Sequence, residues 1–279
     1  MAAAERPRIV TLTTDFGLAD GYVGQVKGAI LAVRSDIQIV DLTHAVPAGR
    51  IDTAAYVVET GRCPFPAGTV HVVVVDPGVG GRRRALAGLI DGQFYVGPDN
   101  GVLSRVIGRS TDRELRRIDN PAFMRDSPSA TFHGRDIFGP TAAHLACGAS
   151  FAATGPRIDD PVLLARAERP RRGNRLTVPV VHVDHFGNVV LDLRRDELDD
   201  WLASTGPGAR VAVTAGAWRI DRVLRSYADA GGDEPFLLFN SADYLEIACA
   251  EASAERTLGI DPESRVVLTA GRQRPADVL

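Results

Sequence analysis

The chain has little of what marks a secreted, stapled or membrane-bound protein. Its 279 residues include three cysteines, Cys63, Cys147 and Cys249. They stand far apart and form no Cys-x-x-Cys pair, so neither a disulfide framework nor a zinc knuckle is encoded. Lysine is almost absent: Lys27 is the single one, the other positive charges being arginine, a bias that fits a GC-rich genome. A Schiff-base mechanism would have to rest on Lys27 alone, which argues against one. There is no basic excess either. The formal net charge is −3, which speaks against a nucleic-acid partner. No apolar run reaches the length of a membrane span, and the N-terminus (MAAAERPRIV) has no apolar core of a signal peptide. The expectation is a soluble, cytoplasmic protein with no membrane contact. With 45% hydrophobic and 24% charged residues, the chain is long enough for one or two packed domains.

What is present is an alternation of strand and helix patterns. Arg8–Thr13 reads as a β-rich run, and Tyr22–Val33 spaces Tyr22, Val26, Ile30 and Val33 at helical intervals. Ile37–Leu42 reads as a strand and Thr53–Thr60 as a helix. Thr69–Val75 is almost wholly apolar and β-branched, as in a strand covered on both faces of a parallel sheet. The alternation predicts an α/β layer architecture up to about residue 150. Ala165–Arg175 is basic and broken by Pro170 and Gly173, the character of a linker. An anion-binding patch is its alternative reading. Beyond it, short β-rich runs at Leu176–Val183, Asn188–Leu193, Arg210–Val213, Phe236–Phe239 and Val266–Thr269 predict a small antiparallel barrel or sandwich. No repeat or low-complexity tract interrupts this order.

Several residues sit where chemistry is expected. Asp15 follows the first strand directly, at the carboxyl edge where open α/β folds bind ligands. A carboxylate there can accept hydrogen bonds from the vicinal hydroxyls of a ribose, although a helix cap or turn former has the same appearance. Asp20 is closer to a plain turn residue. Asp76 ends the most apolar strand and opens DPGVGGRRR, a glycine-rich loop with a carboxylate and three arginines. It has no phosphate-loop pattern. Water activation and a structural salt bridge both fit it. His133, in TFHGRDIFGP, is either a cleft-wall acid, base or donor or a helix-start residue paired with Asp136. His44, His71 and His144 have no partner at ligand spacing and read as structural. His182, Asp184 and His185 suggest a metal, but on a strand His185 points away from the other two and no third ligand is in sight. Phe186-Gly187-Asn188 offers a stacking ring and an amide able to read a purine edge, or an ordinary turn. Ser241 and Glu246, just after an apolar strand, fit turn chemistry and surface charge.

Taken together, the stretches TLTTDFGLADGYVGQVKG, VDPGVGGRRR, VGPDNGVL, TFHGRDIFGP, VDHFGNVV and NSADYLEIA resemble the S-adenosyl-L-methionine hydrolases (SAM hydroxide adenosyltransferases), relatives of the fluorinase and chlorinase enzymes. They occur in family order from about residue 8 to 255. The resemblance implies an N-terminal α/β domain and a C-terminal β-barrel domain; with the linker read from composition, the expectation is an α/β domain with a mainly parallel central sheet over residues 1–165, a linker over 166–175 and a smaller antiparallel β-barrel domain over 176–279. It also implies a homotrimer, with the substrate between the first domain of one subunit and the second domain of its neighbour. The implied reaction is hydrolysis of S-adenosyl-L-methionine to adenosine and L-methionine, with no metal and no other cofactor. Matched position by position, the family's Asp–Arg–His group falls on Asp76, Arg83 and His133, and its ribose-binding aspartate on Asp15. Asp184, Asn188, Ser241 and Glu246 fall on positions that hold the methionine part or the adenine. Phe186 and Tyr227 look like aromatic walls of the adenosine pocket.

The halogenating relatives replace the aspartate by an uncharged residue, and the fluorinase has serine where Gly134 stands and an inserted loop in its first domain. A carboxylate about 4 Å from a halide costs roughly 1–4 kcal/mol between water and a protein surface. Asp76 therefore favours hydrolysis over the alternative of a halogenase. A non-catalytic adenosine or S-adenosyl-L-methionine binder would have no reason to keep Asp76, Arg83 and His133 together. A metal-dependent hydrolase built on His182, Asp184 and His185 would lose activity with chelator.

Overall fold

The computed structural model describes residues 8–165 and 168–271, which divide into two compact units between residues 165 and 166. In the first unit, β1 (Ile9–Thr14), α1 (Tyr22–Val33), β2 (Gln38–Thr43), α2 (Ile51–Gly61) and β3 (Val70–Val74) alternate. They are followed by β4 (Ala85–Ile90), β5 (Gln93–Pro98), α3 (Ser104–Arg109), β6 (Arg113–Arg117) and α4 (Gly139–Ala146). The strands form one sheet in the order β2-β1-β3-β5-β4-β6. β1 pairs in parallel with β2 and β3, and β3 with β5. β4 runs antiparallel between β5 and β6, so the sheet is mainly parallel with an antiparallel margin. Asp91 and Gly92, both at positive φ, make the tight β4–β5 turn, a conformation that asparagine, aspartate and glycine tolerate.

Layering follows from the apolar patterns. Val26 and Ile30 of α1 and Ala142, Ala143 and Leu145 of α4 pack on one face with Val10, Leu12 and Val72. Ala54 and Val58 of α2 and Val106 and Ile107 of α3 pack on the other with Val73 and Val75. β3 lies between these layers with every residue buried, which is why its sequence is continuous rather than alternating.

The second unit contains β7 (Arg171–Arg172), β8 (Arg175–Val183), β9 (Val189–Arg194), α5 (Arg195–Thr205), β10 (Arg210–Ala215) and β11 (Trp218–Ile220). Then come β12 (Phe236–Phe239), β13 (Tyr244–Ala248), α6 (Ala254–Leu258) and β14 (Arg265–Gly271). The strands run β11-β10-β14-β8-β9-β13-β12, all neighbours antiparallel, with β7 folded back on β8. Ile220 near one end and Leu237 near the other share a single core, so the sheet curls into a nearly closed barrel. Of the segment read as a linker, Arg166 and Ala167 lie outside the described residues. Arg171–Arg172 form β7 because Gly173, at φ 58°, lets the chain reverse onto β8.

His71 is structural in the way the sequence suggests. It is 1% exposed on β3, its Nδ1 lies 2.8 Å from the Thr11 hydroxyl, and its ring stacks on Tyr95 at 5.0 Å. Burial pulls its pKa from 6.5 down to about 4. Between those values the unfolded chain binds a proton that the folded chain refuses, so stability rises with pH across that interval by about 3 kcal/mol. Urea titrations between pH 4.5 and 7 are expected to show this rise, and His71→Asn is expected to flatten it.

Candidate functional site

The strand order decides where ligands can lie. From β1 the chain crosses to β2 on one side and then returns past β1 to β3 on the other. The crevice outside the carboxyl ends of β1 and β3 is therefore a topological switch point. Asp15 follows β1 and Asp76 follows β3, so two residues 61 positions apart in sequence meet at one edge. Asp15, Phe16, Asp76, Phe132, His133 and Gly134 line an open cleft, a concave setting of the kind in which small molecules bind.

Arg83 joins Asp76 to His133, two of the residues that line the cleft. Its Nε donates to both carboxylate oxygens of Asp76 at 3.0 Å, and its Nη2 donates to Asp76 Oδ2. The same Nη2 lies 2.6 Å from His133 Nδ1. A guanidinium has only donors, so Nδ1 accepts and the ring proton belongs on Nε2. Burial first, and the Arg83 charge second, lower the His133 pKa, against the opposing pull of Asp76 and Asp136. Imidazole, rather than imidazolium, is thus the favoured form near neutral pH. The two flanking arginines have other roles: Arg84 pairs with Asp99 and Asp160, while Arg82 is exposed. Arg83 also lies over the Phe138 ring at 5.4 Å.

Two loops hold this group. His133 precedes a π-helical turn, Gly134–Phe138, that runs straight into α4, a local widening common at functional sites. Buried Asp136 accepts from the Ser129 N–H at 2.8 Å and from Arg135 at 2.7 and 2.9 Å, which pins the 125–131 segment. Gly80, at φ 74°, docks the Asp76 loop on that segment: a Cβ there would overlap the Ala130 carbonyl oxygen. Gly80→Ala is expected to displace the loop and cut turnover by about 10²-fold, since errors of 1 Å in positioning cost that much. It is expected to cost roughly 1–3 kcal/mol of stability through the positive φ and the overlap. Steady-state rates and thermal unfolding check both.

The second unit carries its own polar cluster. Asp184 Oδ1 accepts the N–H groups of Phe186 and Asn188 at 2.9 Å, and Asn188 Nδ2 donates to Asp184 Oδ2 at 3.0 Å. Gly187, at φ 84°, leaves no room for a side chain beside Ser253. The Tyr227 hydroxyl donates to Glu246 Oε1 at 2.6 Å and lies 3.4 Å from Asn188 Nδ2. Glu246 is 3% exposed on β13, not part of a charged surface. Its sequence neighbours Tyr244–Ala248 form a strand paired on both sides, which turns it inward. Burial raises its pKa above the ordinary carboxylate range, although Tyr227 and Asn240 pull the other way. Phe186 is 76% exposed and joins the cluster only through its backbone, and Ser241 is exposed in the β12–β13 turn. His182, Asp184 and His185 do not form a metal-holding group among the described residues.

The sequence reading missed Phe16 and Phe132 as cleft walls, the hydrogen bond from the Gly49 N–H to Asp15 Oδ2 at 2.9 Å, and the anchoring by Asp136. Only the spacing of Asp136 within TFHGRDIFGP hinted at its part. The others depend on which loops the strand order brings side by side.

Residues 10–155 match the SAM hydroxide adenosyltransferase N-terminal domain and residues 178–267 the corresponding C-terminal domain. The (R)-S-adenosyl-L-methionine hydrolase of Salinispora arenicola is 35% identical, over 94% of this chain and 98% of its own. That of Thermus thermophilus is 36% identical, over 91% and 96%. A fluorinase from Nocardia brasiliensis matches at 29%, over 89% and 92%. The crystal structure of an uncharacterized conserved protein from Thermotoga maritima superposes with a TM-score of 0.85 at 32% identity, covering 94% of this chain and 99% of that one.

Proposed function

The chain belongs to the SAM hydroxide adenosyltransferase family, and from that membership we infer that it is an S-adenosyl-L-methionine hydrolase, releasing adenosine and L-methionine. The observation that carries the residue assignment is the contiguous Asp76–Arg83–His133 group on the cleft that Asp15 also lines. The sulfonium makes C5′ electrophilic and methionine a neutral leaving group, so the reaction needs an in-line nucleophile more than acid assistance. Asp76 and His133 orient a water, and the Arg83 charge favours its hydroxide form. The water oxygen bonds to C5′, the C5′–S bond breaks with its electron pair staying on sulfur, and the water proton leaves towards the Asp76 carboxylate. Asp15 takes the ribose hydroxyls. Asp184, Asn188, Ser241 and Glu246 take the methionine part or the adenine, with Phe186 and Tyr227 as aromatic walls. No metal or redox cofactor has a part in this scheme.

The assignment divides the substrate's contacts between residues 1–165 and 176–279, and the proposal includes a cytoplasmic homotrimer in which subunits share them. Its substrate is the (R) form that the relatives' names specify. Against a fluorinase-like reaction stands Asp76, whose charge repels a halide by roughly 1–4 kcal/mol at about 4 Å.

Chromatography of the products tests the reading. Purified protein is incubated with the separated (R) and (S) forms of S-adenosyl-L-methionine and excess chelator, with and without chloride. Adenosine and methionine from the (R) form, indifferent to halide and chelator, are expected. A halogenated nucleoside would move the reaction to the halogenase branch, and tight binding without turnover would make the protein a binder.

A further inference from the structure

Behind Asp15 lies a chain of polar side chains that the proposed reaction does not use. Lys27 Nζ on α1 donates to Asp41 Oδ2 on β2 at 2.6 Å. Asp41 Oδ1 lies 3.0 Å from His44 Nε2, close but not aligned as a well-directed hydrogen bond. His44 Nδ1 lies 2.8 Å from the hydroxyl of Thr14, the last residue of β1. The Thr14 hydroxyl in turn accepts the Phe16 N–H at 3.2 Å. With the ring proton on Nε2, facing the Asp41 carboxylate, Nδ1 accepts from Thr14, and the hydroxyl donates one way and accepts the other.

The backbone repeats the connection. The Gly17 N–H donates to the His44 carbonyl at 2.8 Å, and the Val46 N–H to the Thr14 carbonyl at 3.3 Å. The β1–β2 pairing shifts register at this point: Leu12 faces Asp41, but Thr13 faces Thr43. Such an extra residue bends a strand and re-aims its side chains. Here it brings Asp41 and His44 together at the end of β1. Both neighbours of Asp15 are thus tied to the buried His44, whereas the Asp15 carboxylate is held by the Gly49 N–H at Oδ2.

We propose that Asp41, His44 and Thr14 form a positioning relay that sets the Asp15 carboxylate for the two hydroxyls of the substrate ribose, with Lys27, the chain's single lysine, as its outer anchor. The proposal rests on the reading of Asp15 as the ribose-binding residue. A carboxylate that receives two vicinal hydroxyls must hold its plane to a fraction of an ångström, and a bend between a strand and a helix does not provide that rigidity alone. The relay supplies it from side chains that touch no substrate. Burial alone would raise the Asp41 pKa, but the contacts with Lys27 and His44 together outweigh it and hold the carboxyl below the ordinary range, so Asp41 stays ionised.

The test compares S-adenosyl-L-methionine with its 2′-deoxyribose analogue in wild type, Asp15→Ala, Thr14→Val, His44→Ala, His44→Asn and Lys27→Met. Wild type is expected to prefer the ribose substrate in kcat/KM. Thr14→Val and His44→Ala are expected to raise KM for it by about 10- to 100-fold and to weaken the deoxy analogue, which keeps only the 3′-hydroxyl, markedly less, so that the preference falls to that of Asp15→Ala. His44→Asn, whose amide oxygen can take the place of Nδ1, is expected to restore part of the preference, and Lys27→Met to lose a smaller part. A purely structural role would slow both substrates alike, and that result overturns the relay. A preference lost in Asp15→Ala but intact in folded Thr14→Val and His44→Ala also overturns it. A preference intact in Asp15→Ala removes the ribose role of Asp15, and the relay's purpose with it.

Discussion

Replacing Asp76 by asparagine is expected to lower adenosine release by about 10²–10⁴-fold, the range that a positioned acid–base group contributes, while KM for S-adenosyl-L-methionine changes little. Asparagine nearly matches the shape of aspartate and still offers Arg83 an oxygen. It removes the negative charge and the second acceptor to which the proposed scheme sends the water proton. Alanine is the poorer probe, because it leaves Arg83, 10% exposed along its side chain, without its ion-pair partner. The acid side of the rate profile changes as well. Asp76 pulls the His133 pKa up, whereas burial and Arg83 push it below 6.5. Without Asp76 the net depression grows, so the fall in residual activity on acidification moves to lower pH. Rates from pH 5 to 9 measure both effects. Undiminished turnover in Asp76→Asn would remove Asp76 from the chemistry.

Arg83→Met produces the largest loss of stability expected here. The Asp76 side chain is 5% exposed and receives Nε and Nη2 of Arg83. A buried carboxylate stripped of its partner costs about 3–5 kcal/mol, and in a unit of this size each kcal/mol lowers the midpoint by roughly 2–4 °C. A fall of about 10 °C is expected in thermal unfolding. The double variant Asp76→Asn/Arg83→Met removes both charges and is expected to recover most of it, because the uncompensated charge is the main cost. Loss of Arg83 also removes its charge and the Nη2 contact that together favour neutral His133. The His133 pKa is then expected to rise, as the ring signals in a pH titration by NMR will show. Midpoints that add independently in the double variant would mean that the pair contributes nothing as a pair.

Much of the fold can be read along the chain because its cause is local. The helical spacing from Tyr22 to Val33 matches α1 residue for residue, and the apolar run at 69–75 contains the doubly covered β3. Asp15 and Asp76 are recognisable for the same reason: each directly follows a strand-like run. The antiparallel margin was harder to see. Its turn signal, Asp91-Gly92, sits between strands whose partners lie on different sides, β5 on one and β6 on the other, and periodicity does not carry partner identity.

The site's residue types and their family order were legible in the sequence, since a glycine-rich loop after a strand and a histidine beside a glycine carry their own local logic. Three adjacent arginines look alike in a sequence. Folding separates them, because each successive side chain leaves the backbone in a different direction: Arg83 reaches Asp76, Arg84 reaches Asp99 and Asp160, and Arg82 stays exposed. Glu246 reads as surface charge until both neighbours of β13 are known and the strand turns it inward beneath Tyr227. His44 reads as an isolated histidine until the β1–β2 register shift sets it between Asp41 and Thr14. Composition and periodicity specify which segments are strands or helices and which faces are apolar. Burial of a charge and the meeting of groups distant in sequence depend on strand order and register, which arise only when the whole sheet packs.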